Sequence, residues 1–276
     1  MSTNENKDKK AEVTALQAIS AEDRKDWISL AFVQAGICVC VPAFLLGALL
    51  AEAMPIWPAI ISGSLGYLIV VVGMVATGMI GCDLGLASCT CCQAGFGKSG
   101  ARFIVSTIFA VNMIGWFGIQ NGVCGEAFSN AMLAMTGWDI PVVVSNTIWG
   151  IIMLLTAVYG VHALEKLDKI SIPLLMIIMC YGTFLAFKVY GTGNLNDEGT
   201  VQSMSFMSGV ALSFNFTAVG TITGPDYTRF QKSRKDTVKS VFYGVFPMGV
   251  ITLIMGIVLT KLSGQYDISM VLIEVG

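Results

Sequence analysis

Cys82, Cys89, Cys91 and Cys92 crowd one stretch of the chain, and Gly95-Phe96-Gly97-Lys98-Ser99-Gly100 follows at once. Thiols at this density raise a zinc site, and glycines ahead of Lys-Ser raise a loop that cradles phosphate with backbone N–H groups. Neither pattern closes. Zinc takes pairs two to four residues apart, often with histidine, whereas the spacing here is C-x6-C-x-C-C and the only histidine, His162, lies far down the chain. A phosphate loop needs glycine where Cys92 stands and a strand ahead of it. The stretch reads instead as a glycine-rich bend, with Gly85, Gly95, Gly97 and Gly100 permitting tight backbone and the cysteines acting as small, soft residues. No nucleophile–base pair stands out elsewhere, so the sequence does not read as an enzyme and calls for no cofactor or structural metal.

A second kind of chemistry lies in polar residues embedded in apolar runs, where they are expensive and therefore candidates for function. Asn112, Trp116 and Gln120 recur every fourth residue, which puts a flat aromatic between two amides on one helix face. Ordinary hydrogen bonding between membrane helices would also use such amides. Phe214-Asn215-Phe216-Thr217 leads through Gly220, Thr221 and Thr223 to Gly224-Pro225, which reads as a broken helix. An earlier run carries Pro42 between Gly36 and Gly47 and reads the same way. Two interrupted segments at matching positions of two repeats are a pointer to a transporter's binding site.

The elements that must hold these residues follow from composition. The chain is 55% hydrophobic and 12% charged, with a mean hydropathy of +0.74, so it reads as an all-α polytopic membrane protein. Its net charge of −2 supports no general attraction to nucleic acid. Residues 1–26 form a polar tail rather than a signal peptide, and 27–276 form the membrane domain. A bilayer core about 30 Å thick needs about 20 apolar residues of helix. Runs of that kind lie near 27–51, 57–80, 102–125, 139–160, 170–190, 204–224 and 238–262, and another begins at 268. With the N terminus in the cytoplasm, fourteen of the sixteen lysines and arginines fall inside, and only Lys188 and Lys261 fall outside. An apolar run begun shortly before Gly276 gives the expectation of a fragment of a longer chain.

The order of these motifs resembles the nucleobase:cation symporter-1 family, especially its cytosine and purine permease branch, from about residue 24 onward. The carriers are "AGICVCVPAFLLG" in the first span, "GFGKSG" then "GWFGIQ" at the third, "HALEKLDKISIPLL" entering the fifth and "GTITGPDYTRF" closing the sixth. The resemblance implies a leucine-transporter-like fold with a 5+5 inverted repeat, truncated here in the second repeat. It implies a nucleobase-type small molecule stacked between Trp116 and Phe216, with Gln120, Asn215, Thr217 and Asn112 as further binding residues. The cytosine permease has its glutamine where Met113 stands, and Gln120 matches the hydantoin and uracil branches instead. A coupling cation, Na+ or H+, would sit on backbone carbonyls of Gly36 and Val39, beside helix breaks at Pro42 and at Gly220, Gly224 and Pro225. The implied function is import of a nucleobase across the cell membrane by cation-coupled symport. The alternatives are a same-fold carrier of allantoin, hydantoin or a thiamine precursor, and a non-transporting half-length membrane subunit.

Overall fold

The computed structural model describes residues 16–158, 160–192, 195, 204–265, 270, 271 and 273, with backbone alone for 160–166. The side chain of His162, most of the polar tail and most of the apolar run expected from 268 lie outside the described residues.

The first expected span is two helices, α1 (Trp27–Cys38) and α2 (Val41–Ala53), bent by 51°. Pro42 occupies the first turn of α2, where a missing N–H costs no helical bond, so the break falls just upstream at Val39 and Cys40. The second span, α3 (Ile56–Leu84), ends on Gly85, whose φ of 66° lets the chain leave the helix in the left-handed region.

The glycine-rich stretch is more helical than expected. Short helices α4 (Ser88–Cys91) and α5 (Gln93–Gly100) pass through a π-helical turn at Ala101–Val105 into α6 (Ser106–Thr136). Only Gly97 leaves helical geometry, at φ 67° and ψ 171°. The third span therefore runs well beyond 125. Next come α7 (Val142–Val158) and α8 (Gly160–Tyr190), with Pro173 inside the latter.

At the sixth span, α9 (Phe206–Thr217) and α10 (Val219–Thr228) meet at Ala218. The break expected at Gly220, Gly224 and Pro225 is corrected here, because all three lie inside α10. Pro225 cannot donate to the Thr221 carbonyl, and Thr77 on α3 donates its hydroxyl to that oxygen at 2.7 Å instead. The substitute bond keeps the helix running. Gly224 permits the approach: a side chain there would meet Thr77 Oγ1 at 2.6 Å.

The last long helix is α11 (Arg234–Ser263), capped at its start by Ser233 Oγ, which accepts from Asp236 N–H. It packs on α1, α2 and α3, and α3 packs on α9 and α10. Leu46, Leu50, Tyr67, Met74, Leu253 and Ile257 are fully buried where these helices meet. Interhelical polar bonds add registry: Ser213 donates to Gly63 O at 2.7 Å, Thr228 to Gly78 O at 2.7 Å and Gln34 to Ser240 Oγ at 3.3 Å. Among the described residues, five helices are long and apolar enough to cross a bilayer, and the bent pair α1/α2 makes a sixth span. At 17 residues, α7 stands at the short end of the spanning range.

Candidate substrate site

A cavity of about 280 Å³ opens between α6 and the α9/α10 pair, beside the break between α1 and α2. From α6 come Met113, Trp116, Phe117 and Gln120, a stripe at helical spacing. From the sixth span come Phe216, Thr217, Val219, Gly220, Thr223 and Tyr227, of which Phe216, Gly220, Thr223 and Tyr227 again keep one face. Ile37 and Cys40 complete the wall. Cys40 is extended (φ −147°, ψ 156°), so its thiol is delivered by the break rather than by any helix face, and it faces the Gln120 amide.

Trp116, Gln120, Phe216, Thr217 and Gly220 thus share one cavity, while Asn112 and Asn215 do not line it. Both asparagines are exposed. The cavity lies on the side of α6 shared by Met113 and Phe117, which leaves Asn112 beside it, and Asn215 is turned about 100° from Phe216. Gly36 lies inside α1 and Val39 caps it, next to the cavity wall at Ile37 and Cys40. Tyr227, Cys40 and Thr223 were not offered as binding residues by the sequence. A four-residue stripe running on from Phe216 would have found Thr223 and Tyr227.

The two aromatic rings touch each other. Trp116 and Phe216 have centroids 5.2 Å apart and planes at 87°, an edge-to-face pair. A planar ring held between two parallel faces needs them about 7 Å apart, twice the usual carbon contact distance. In this conformation the two rings leave no room between them for the expected sandwich.

A second cavity of about 230 Å³ lies next to the first and shares Met113, Thr223 and Tyr227 with it. Asp226 and Arg229 line this one. The shared residues form the partition between the two spaces. The end of the bundle beyond it is tied by the segment before α1, where Lys25 N–H donates to Phe230 O at 2.6 Å and Arg24 to Gln231 O at 2.9 Å.

The cysteines near the bend bond to backbone. Cys91 donates to Leu86 O at 3.5 Å and Cys82 to Gln231 O at 3.7 Å. Burial first, then neighbouring acidic groups, push the Cys89 and Cys91 thiols above their usual range. Among the described residues, no group of three or more His, Cys, Asp or Glu side chains is placed to hold a metal ion.

Comparison with known proteins gives the family to which the chain belongs. Residues 19–273 match the family model described as "Permease for cytosine/purines, uracil, thiamine, allantoin". The chain is 27% identical over 257 residues to the cytosine permease of Escherichia coli (strain K12), an alignment covering 92% of this chain and 59% of that one. It is 25% identical to the purine-uracil permease NCS1 of Arabidopsis thaliana, over 80% of this chain and 41% of the relative, and 23% identical to the allantoin permease of Bacillus subtilis (strain 168), over 81% and 50%. The chain therefore spans about 60% of the cytosine permease's length. Its fold is that of Mhp1, a nucleobase-cation-symport-1 family transporter, in a closed conformation with bromovinylhydantoin bound: TM-score 0.84 at 18% identity, covering 96% of this chain and 61% of Mhp1. The inward-facing conformation of Mhp1 superposes with a TM-score of 0.78. The chain, matched over nearly its whole length, belongs to the nucleobase:cation symporter-1 family, in its cytosine and purine permease branch.

Proposed function

We propose that this chain forms the substrate-binding part of a secondary active transporter that imports a nucleobase by symport with a cation, Na+ or H+, across the cell membrane, with its N terminus in the cytoplasm. The observation that carries the reading is the cavity whose wall holds Trp116, Phe216 and Gln120, the two rings meeting edge to face. A nucleobase is a flat ring with donors and acceptors on its edge. Stacking on an aromatic contributes about 1–3 kcal/mol per base and tolerates ring identity. Edge hydrogen bonds discriminate, because a buried amide left unpaired costs about 1–3 kcal/mol.

In this reading Trp116 and Phe216 set affinity, and Gln120, Thr217, Thr223 and the Tyr227 hydroxyl set selectivity. The edge-to-face pair seen here contributes roughly 0.5–1.5 kcal/mol, which a bound base replaces with its own stacking. Asn112 and Asn215, though offered by the sequence, have no place in this reading. In this reading residues 1–26 are a cytoplasmic tail and residues 27–276 the membrane domain.

The test is uptake of labelled cytosine, adenine, uracil and allantoin by cells expressing the native gene, each competed by the unlabelled panel. Saturable uptake of a nucleobase, lost in Trp116→Ala at normal expression, is the expected result. Preference for allantoin or a hydantoin would move the substrate class, and unchanged uptake in Trp116→Ala would overturn the site.

A further inference from the structure

The end of α1 gathers uncompensated negative charge. Val39 N–H closes back on Ala35 O at 2.8 Å, and the Cys40 thiol donates to Ile37 O at 3.5 Å. Cys40 is extended, so its N–H does not return to Gly36. Among the described residues, the carbonyls of Gly36, Cys38 and Val39 receive no backbone N–H. A helix end with open carbonyls carries about half a negative charge.

Asp168, on α8, lies against this end. A methyl group built on Gly36 would sit 3.2 Å from Cγ, Oδ1 and Oδ2 alike, so the carboxylate lies flat against the glycine. Ile172, one turn further along α8, packs with Ala35 and Val39 and fixes the approach of the two helices. The carboxylate is half-buried, and no hydrogen bond or ion pair reaches it from a described residue. Neither α1 nor α7 carries a charged side chain, and α10 carries one, Asp226.

A carboxylate packed on the last turn of α1 is repelled by the open carbonyls there unless a positive charge lies nearby, and the repulsion grows as water is excluded. Oxygen-only donors suit a hard cation, and unwound helix ends are where transporters of this architecture hold their coupling ions. One carboxylate with neutral carbonyls balances a single positive charge. We propose that Asp168 is the anionic ligand of a monovalent metal cation bound at the α1 break, completing a site whose other donors are the open carbonyls of Gly36, Cys38 and Val39.

This rests on the cation-coupled reading above and makes it more specific. The same break delivers Ile37 and Cys40 to the substrate cavity. A cation bridging α8 to the end of α1 favours the arrangement in which those two residues form the cavity wall, so cation and substrate assist each other's binding.

The experiment is a Na+ titration of thermal stability on protein purified from its native gene, without substrate, at fixed pH, with choline chloride holding ionic strength constant. Wild type gains stability with Na+. In Asp168→Asn the half-saturating Na+ concentration rises at least tenfold, and Asp168→Glu stays within a few-fold of wild type. Gly36→Ala, which pushes the carboxylate away, shifts the midpoint in the same direction and serves if Asp168→Asn does not fold. Stabilisation by cytosine in choline alone is the same in wild type and Asp168→Asn. An unchanged Na+ midpoint in Asp168→Asn, or a wild type indifferent to Na+, Li+ and K+, overturns the proposal. Loss of the Na+ response in Asp168→Asn together with a wild type unresponsive to every nucleobase leaves the cation site standing and overturns the substrate reading instead.

Discussion

Gly256 on α11 and Gly115 on α6 are both glycines in apolar helices, and they live in opposite surroundings. A side chain on Gly256 would collide with the Phe44 backbone of α2, and one on Gly47 would collide with the Leu253 carbonyl of α11, whereas nothing described lies within 4 Å of such a side chain on Gly115, Gly118 or Gly122. The helices α1, α2, α3, α9, α10 and α11 form a body whose backbones touch through small residues. The pair α6/α7 is built on itself, and α6 reaches that body mainly along α2 and through Trp116 against Phe216. The cavity proposed to hold substrate lies on this seam, where it can report the relative position of two bodies. That is the requirement of alternating access by rocking one bundle against another.

The largest effect tests the tight body. Gly256→Val removes the α2–α11 approach and costs about 3 kcal/mol or more, at the upper end of what overpacking a core does. The expected outcome is loss of the monodisperse peak when detergent-solubilised protein is sized. A folded Gly256→Val protein would mean that α2 and α11 are not locked, and the contrast with α6/α7 would fail.

The next effect lies on the seam. Trp116→Ala lowers substrate affinity about 5- to 150-fold, the equivalent of 1–3 kcal/mol of stacking, while leaving expression and sizing profile intact. Trp116→Phe keeps part of the affinity because it keeps an aromatic face. Binding measured by thermal stabilisation separates these variants from wild type.

Much of this seam was legible in the sequence. Trp116 and Gln120 stand out because amides inside apolar runs are few and these recur with a tryptophan at the helical period, and Phe216 because it borders such an amide. The break in the first span was legible because a proline marks it, displaced by two or three residues from the true interruption. What stayed hidden depends on partners distant in sequence. Pro225 read as a helix breaker because nothing near it shows that Thr77, 144 residues before Thr221, covers the carbonyl freed there. Cys40 belongs to no helix face, so no periodicity finds it. Asp168 sits in "HALEKLDKI", which reads as a basic loop end, and only the packing of α8 on α1 turns it inward. Asn112 and Asn215 were the opposite error: their chemistry suited the site, but α6 presents Met113 and Phe117 to the cavity, and the sixth span presents Phe216 rather than its neighbour.

A smaller effect tests whether α6 and α7 move as one unit. Ser129 on α6 and Ser145 on α7 share a buried hydrogen bond of 2.7 Å. Either single change to alanine leaves one hydroxyl unpaired and costs about 1 kcal/mol, whereas replacing both together costs little more, since no unpaired group remains. A double-mutant cycle read by thermal melting checks this. Additive costs would mean the serines answer to other partners and the pair is not a unit.

The smallest effect lies on the tight body, at its solvent end, and it bounds what counts as part of the frame. Arg234 at the start of α11 donates two hydrogen bonds to Asp83 at the end of α3, from Nε to Oδ1 at 3.0 Å and from Nη2 to Oδ2 at 2.5 Å. The geometry is bidentate, yet the two side chains are 66% and 39% exposed. Exposed pairs are screened by water and salt and lose their gain to side-chain ordering. The α3–α11 contact already has Tyr67 and Leu253 fully buried along its length. Asp83→Asn should therefore leave the melting temperature and the nucleobase response indistinguishable from wild type at physiological salt. If it instead slows uptake at unchanged stability, the charge pair acts on the opening of the nearby cavity lined by Asp226 and Arg229, and the boundary between rigid body and gate moves inward from the solvent end.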